Sequence, residues 1–424
     1  MAAVYATYVY VHGRNSLMTT SDAASTSGAH VAQAAAEFQW DVDKLEAGIG
    51  FAASGGGFRA MLFHAGALMR LNELGLLART KRISSVSGGS IATGYLACVW
   101  PKLQQEDFNN FKQLFVEPIL EFSRQKIDVV NALTGVLPWT SAADEVADSY
   151  DQHLFESRTL QDLPDEPRFV FCATNLQSGV LWRFSKPYAG DYVIGRLDQP
   201  KLRLAVAVAA SSAFPPVLSP LLLKLPDGSF KGWPTGPGPL PEAELAKFRK
   251  RILLTDGGVY DNHGIEPLVK RYATLFVSDG GAPFGRSSII DADWISQLRR
   301  VLDVTGNQVR ALRRRDLIDR LMSGNQLGDE AKIVAEHAHG RLGAYWAIDT
   351  DVNKLKPAGA LACDPSTVDK LAQIGTRLSD LGPQTSKQLV NWGYAICDRS
   401  IRSNYKGAMS DVAPDWPYPD AHLN

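Results

Sequence analysis

Cysteine is scarce in this chain. Four residues, Cys98, Cys172, Cys363 and Cys397, are scattered with no CxxC pair. This spacing excludes a disulfide framework and a cysteine-based zinc site, and fits buried thiols of a reducing compartment. The eight histidines include His337-Ala338-His339 but no HExxH, so no metal and no cofactor are expected. Net charge is only -1, which removes any bulk electrostatic case for a nucleic-acid partner. No apolar run reaches the ~18 residues that span a bilayer. Residues 1–11 are apolar and aromatic, yet no basic stretch precedes them and no cleavage site follows. The expected location is therefore cytoplasmic. No GK[ST] follows a glycine run, which argues against a P-loop.

What is present is a large apolar fraction, 45%, enough for one large α/β domain with embellishments or for two domains. Met18 opens a polar stretch rich in Ser, Thr and Ala and is a candidate true start. On composition, the first ~35–45 residues are expected to be loosely ordered.

Gly48 to Ser54 is a short apolar run ending in glycines, as in a buried parallel strand. Phe58 to Arg79 reads as a helix, with Ala60, Ala65, Gly66 and Ala67 permitting close packing on a sheet. Arg82 to Val86 reads as a second strand and Ser90 to Trp100 as the helix after it. This order implies right-handed crossovers and a parallel sheet faced by helices. Residues 101–165 read as mainly helical, with a turn at Pro138-Trp139. Phe169–Ala173 and Val180–Phe184 form a predicted hairpin. Leu204–Ala210 is a helix stopped by Pro215-Pro216. Residues 224–250 are a Pro/Gly-rich insertion. Strands are predicted at Arg251–Thr255 and Thr274–Ser278, each leading into Asp-Gly-Gly. Ile295, Leu298, Leu302, Val309 and Leu312 mark a long amphipathic helix. Tyr345 to Ile348 is a candidate edge strand, and Val368 to Tyr405 reads as one or two covering helices.

Two motifs carry chemistry. Ser87, in Ser85-Val86-Ser87-Gly88-Gly89-Ser90, stands where a strand turns sharply into a helix, the position of an exposed nucleophile. Gly89 fills the small position two residues on; Ser85 stands where the GxSxG pattern has glycine. Gly55-Gly56-Gly57, also between a strand and a helix, places several N–H donors at the positive end of a helix dipole, which suits a phosphate or a tetrahedral oxyanion. The base is open between Asp256 and Asp279, each at a strand end before two glycines. A carboxylate bonded to the serine takes its proton directly. His263 lies close to Asp256 in sequence, and His64 falls inside the first helix; neither stands out as a triad member.

The set GGGFRA, SVSGGS and DGG, in that order, resembles the patatin-like phospholipase family and the related cytosolic phospholipase A2 catalytic domains. Ala173-Thr174-Asn175 and Ala209 to Pro215 add to it, and the similarity covers roughly residues 48–280. The resemblance implies an α/β fold, a three-layer α/β/α sandwich with a central mainly parallel sheet and additional C-terminal helices. It implies Ser87 as nucleophile, Asp256 as its base, Gly55, Gly56 and Gly57 as the oxyanion hole, and Arg59 as a site-ordering or phosphate-binding residue. No metal belongs to such a dyad. The domains are then residues 1–47, a partly disordered extension; 48–282, the catalytic core; and 283–424, a mainly helical region packed on the core.

The expected function is a phospholipase A-type lipid acyl hydrolase, acting on phospholipid or another acyl ester through an acyl-enzyme. Alternatives on the same residues are a soluble esterase, a thioesterase or an acyltransferase, and, from another class, an inactive lipid- or partner-binding protein. A lipid hydrolase makes transient contact with a membrane surface, so a peripheral location is included. Phe230 and Trp233 with Lys224, Lys231, Lys247, Arg249, Lys250 and Arg251 form a candidate patch for it, against an ordinary loop and solvated helix. Arg313-Arg314-Arg315 reads as a solvated helix face.

Overall fold

The computed structural model describes residues 44–125, 142–216, 218–225, 230–233, 240–336 and 338–424. The N-terminal extension up to residue 43, Met18, the Pro138-Trp139 turn and His337 lie outside them. In chain order the strands are β1 (Glu46–Ala53), β2 (Thr80–Ser85), β3 (Arg168–Asn175), β4 (Leu181–Phe184), β5 (Tyr188–Asp191), β6 (Gly195–Asp198), β7 (Leu221–Leu223), β8 (Phe230–Lys231), β9 (Ile252–Asp256), β10 (Tyr272–Asp279) and β11 (Leu342–Ala347). They form one sheet. Its core, β11-β10-β1-β2-β3, is parallel throughout, and β4, β5, β6 and β8 continue it antiparallel. β1, β10 and β11 are mainly small and apolar, as expected where helices cover both faces, whereas β2 carries Lys81 and Arg82 before its small buried end.

The helices that position the site are α1 (Gly57–Glu73), α2 (Gly88–Gln105), α3 (Leu204–Ser211), α4 (Gly258–Asp261), α5 (Trp294–Leu327), α6 (Pro365–Ala372) and α7 (Pro383–Asn404). This is an α/β sandwich with a mixed, centrally parallel sheet and additional C-terminal helices. α1 ends at Glu73, short of the predicted Arg79, because Gly75 adopts φ 68° and the chain makes only one tight helical turn, Leu77–Arg79, before β2. α1 is buried on every side from Gly57 to Leu68, lying between the sheet and α7. Each fully buried Leu or Phe in such a layer contributes roughly 1.5–3 kcal/mol. Gly66 faces α7 and not the sheet: a Cβ there would fall 1.9 Å from the Val390 carbonyl oxygen.

β11 joins the sheet as a parallel edge strand beside β10. Strands β5 and β6 were not anticipated; they are four-residue antiparallel pieces, too short to leave a period in the sequence. Among the described residues no helix is long and apolar enough to cross a membrane.

Candidate active site

β2 ends at Ser85, and the chain turns through Ser87 into α2 within two residues. Ser87 takes φ 51° and ψ -121°, a conformation that costs a non-glycine residue on the order of 1–3 kcal/mol. The surroundings over-determine it. The Ser87 N–H donates to both the carbonyl oxygen (3.2 Å) and Oγ (3.0 Å) of Ser211. Ser211 in turn donates to the Cys172 carbonyl at 2.7 Å and shares a 2.8 Å hydrogen bond with Ser90. Ser85, the departure from GxSxG, accepts from Ser90 (3.0 Å) and Thr93 (2.7 Å). A serine at that position therefore ties the elbow to the first turns of α2. Sequence reading missed this hydroxyl network, although Ser211 lies in a segment it had singled out.

Asp256 reaches Ser87 by an arrangement that sequence order hides. β2 pairs with β3 only as far as Ser85 opposite Phe171. Beyond it, β9 pairs antiparallel with the same β3, setting Asp256 opposite Ala173. The last residue of β9 thus arrives just past the end of β2, where the elbow stands. Asp256 is 4% exposed and Ser87 6%, so both are almost closed off from solvent. Burial pushes the Asp256 carboxyl up to about 6; the Gly258 N–H, 2.7 Å from Oδ1, and the Ser87 hydroxyl pull the other way. Oδ2 makes no hydrogen bond of ordinary geometry among the described residues. The Ser87 contact is accordingly close enough to favour the carboxylate yet looser than a formed hydrogen bond, as is common before substrate binds.

The glycine run lies against the elbow. A Cβ on Gly55 would sit 3.1 Å from that of Ser87, and one on Gly88 would sit 2.1 Å from the Gly57 carbonyl oxygen. Only glycine at 88 lets the two helix starts come this close. The Gly55 N–H is already engaged, donating to the Asn262 carbonyl at 3.1 Å. The N–H groups of Gly56, Gly57 and Gly88 make no hydrogen bond among the described residues. Gly57 and Gly88 open α1 and α2, so unpaired donors and two positive helix ends converge beside Ser87.

Arg59 is fully buried, and its guanidinium lies against Gly56. Its guanidinium donates to the Gly280 carbonyl from Nε (3.1 Å) and Nη2 (3.0 Å), to the Ile374 carbonyl and to Thr376 Oγ1 (3.5 Å). The Phe58 N–H donates to the Arg377 carbonyl at 3.0 Å, so the strap between α6 and α7 closes over the start of α1. Burial holds the Arg59 guanidinium down at about 10. Arg59 thus joins the glycine loop, the end of β10 and the strap.

Asp279 sits in a separate buried cluster. Its Oδ2 accepts from Arg310 Nη2 (2.7 Å), from the Tyr345 hydroxyl (2.8 Å) and, at 3.2 Å, from His263 Nε2. Though burial opposes it, the Arg310 and His263 partners hold its carboxyl well below the usual range. His64 is fully buried, donating from Nε2 to the Ser54 carbonyl (2.9 Å) and accepting at Nδ1 from Ser278 (2.8 Å). Burial pushes it down to about 4, so it stays neutral. In the insertion, Arg249 lies over Phe230 (5.2 Å), Trp233 packs edge-on to Tyr188 (5.3 Å) beneath Arg183 (5.7 Å), and Lys231 pairs with Asp198 (2.8 Å). Phe230 and Trp233 thus make contacts within the protein and are half-buried.

The family model for patatin-like phospholipases matches residues 51–269, just over half of the chain. The chain belongs to the patatin-like phospholipase family. The match takes in the glycine loop, the Ser87 elbow and Asp256 of this family member, and ends ahead of β10. Comparison with curated proteins finds no match. Among solved structures, human GIVD cytosolic phospholipase A2 in complex with methyl gamma-linolenyl fluorophosphonate and terbium chloride is 15% identical, with a TM-score of 0.46, over 89% of this chain and 62% of that one. Another structure of the human GIVD enzyme gives 16% identity and a TM-score of 0.39 over 66% of this chain. VipD from Legionella pneumophila gives 13% identity and a TM-score of 0.34 over 84% of this chain and 67% of that one. The patatin-family chain thus spans 49% and 62% of the two human phospholipase chains.

Proposed function

We propose that the protein is a lipid acyl hydrolase of phospholipase A type. The Ser87 oxygen attacks the ester carbonyl carbon and its proton passes to Oδ2 of Asp256. The negative charge on the carbonyl oxygen is taken by the N–H groups of Gly56, Gly57 and Gly88; in comparable sites one such donor is worth roughly 2.7–4 kcal/mol. The carbon–oxygen bond to the alcohol then breaks, and the alcohol leaves with the proton from Asp256. Water attacks the acyl-serine and yields its proton to Asp256. The acid departs as Ser87 recovers its proton. Each half of the scheme passes one proton through Asp256, and neither calls on a metal. Arg59 acts as an ordering residue.

The observation that carries this reading is the otherwise unpartnered Asp256 oxygen beside a strained serine at two converging helix starts. Labelling with a fluorophosphonate probe and peptide mapping tests it: label on Ser87, with fatty acid released from dispersed phospholipid, is the expected result. A folded protein that takes no label refutes it and favours the binding-protein alternative. Turnover of dissolved short-chain esters without phospholipid turnover favours the soluble esterase, thioesterase or acyltransferase alternative.

The raised carboxyl also sets a pH dependence. Asp256 accepts a proton only when ionised, so hydrolysis is expected to rise with pH through a limb near 6. Between its ordinary 3.8 and about 6 the folded chain keeps a proton that the unfolded chain has lost. The contribution of this group to stability therefore falls as pH rises through that window. Asp256→Asn should abolish hydrolysis yet be no less stable than wild type at pH above 6, measured by urea unfolding. A variant that unfolds more readily there would mean that Asp256 is a structural residue.

A further inference from the structure

The long helix α5 is amphipathic, but its apolar face does not cover the core. Only Leu317, Leu321 and Gly324 of α5 are buried, all in its C-terminal third. Trp294, Ile295, Leu298, Val301, Leu302 and Leu312 are exposed, Trp294 to 73% and Leu302 to 63%. At 100° per residue these six fall within an arc of about 120° on one side of the helix, along about 27 Å of its length. By the same count Arg299 and Arg315 border the arc on either side. Arg300 and Arg314 fall on the opposite side, Arg300 donating to the Gly285 carbonyl (2.9 Å) and lying over the Phe284 ring (4.4 Å), whereas Arg299 and Arg315 form no ion pair among the described residues. An apolar stripe of this extent on a folded surface marks a site of interaction.

The C-terminal end of the stripe lies near the segment that follows Asp256. α4 begins two residues after Asp256, and Arg313 of α5 lies over the Tyr260 ring of α4 at 5.3 Å. Arg310 anchors α5 to Asp279 (2.7 Å) and to the Gly281 carbonyl (3.1 Å), at the end of β10. At the same edge of the sheet two further apolar side chains stand in solvent. Val259 follows Gly258 in α4, and Phe214 follows Ala213, whose carbonyl accepts the Asp256 N–H at 2.9 Å.

We infer that the exposed face of α5 docks the protein on an anionic phospholipid bilayer, with the helix lying in the plane of the interface beside the Ser87 mouth. An interfacial helix buries its apolar stripe into the headgroup boundary while flanking arginines meet lipid phosphates and carboxylates. The border arginines and the nearness of the mouth favour this occupant over a second copy of the chain; Asp293, Asp303 and Asp319 are exposed carboxylates along the same helix, so the oligomeric state is read in the same experiment. The inference rests on the lipid-hydrolase reading for its purpose, though the surface is tested without turnover.

The experiment is co-sedimentation of the full chain, in a Ser87→Ala background, with vesicles of phosphatidylcholine alone or with about a third phosphatidylserine. Binding to the anionic vesicles, weakened by salt, is expected. Leu298→Glu/Leu302→Glu should lose it roughly tenfold or more. Arg299→Glu/Arg315→Glu should lose the preference for anionic vesicles. Thermal unfolding of each variant checks that it is folded. Binding unchanged in both pairs overturns the inference. So does a wild-type dimer, by light scattering, that the leucine pair splits while vesicle binding persists; the face then belongs to a second copy. Trp294 fluorescence, taken by difference from Trp294→Phe, shielded from iodide in a vesicle-free monomer would assign the face to residues 1–43 instead. Failure of the catalytic reading shows separately, as a Ser87-intact chain that binds vesicles as expected and hydrolyses neither dissolved nor dispersed ester.

Discussion

Ser87→Ala is expected to lower ester hydrolysis roughly ten-thousand-fold or more while leaving the protein folded. The size follows from the arrangement. In the proposed scheme Ser87 is the described hydroxyl that meets the Asp256 carboxylate, and the Gly56, Gly57 and Gly88 donors act only on a charge that its attack creates. If Ser87 and Asp256 act as one unit, Ser87→Ala/Asp256→Asn should be no slower than the worse single variant. Losses that multiply would mean that the two residues serve separate steps. A further variant separates strain from chemistry. Ser87→Gly is equally inactive, but glycine adopts φ 51° freely, so relief of backbone strain outweighs the added unfolded-state entropy by about 1 kcal/mol. Urea unfolding should therefore rank Ser87→Gly above Ser87→Ala. The reverse order would show that the elbow is unstrained.

Much of this site was legible in the sequence because its parts are local. A glycine run after an apolar strand, and a serine between small residues where strand becomes helix, are each set by neighbours a few residues away. What brings them together is not local. Asp256 and Asp279 have the same sequence form, Asp-Gly-Gly at a strand end. They are separated by pairing partners, since β9 runs antiparallel against the tip of β3 whereas β10 lies beyond β1. Likewise, three consecutive glycines offer three N–H groups on paper, but the carbonyl of Asn262, more than two hundred residues away, engages the first. The period of α5 identified its helix, though a period cannot say whether the stripe meets core or solvent. Gly66, read as making room for the sheet, makes room for a helix more than three hundred residues later.

That last contact gives the largest expected effect on stability. Where α1 crosses α7, glycines face each other's backbones: a Cβ on Gly393 would lie 1.8 Å from the Phe63 carbonyl oxygen, and one on Gly66 would lie 1.9 Å from that of Val390. A carbonyl held in a helix cannot swing aside as a side-chain end does, so a methyl group there must push the helices apart. Gly393→Ala is expected to cost about 3 kcal/mol or more, the upper range for overpacking, because separation also strains the buried Arg70–Asp398 pair (2.8 Å) that bridges the same helices. Gly66→Ala should cost as much, and the double variant clearly less than the sum, since the first methyl already opens the gap the second needs. Full additivity in urea unfolding would mean that each site relaxes by itself. The same crossing bears on catalysis: α1 carries Gly57 at its start, and the strap leading into α7 holds Phe58 and Arg59. Displacing α7 should therefore slow hydrolysis more than it weakens binding of a dissolved ester, lowering kcat with KM little changed. An intact kcat in a destabilised Gly393→Ala protein would show that the glycine loop keeps its place without α7.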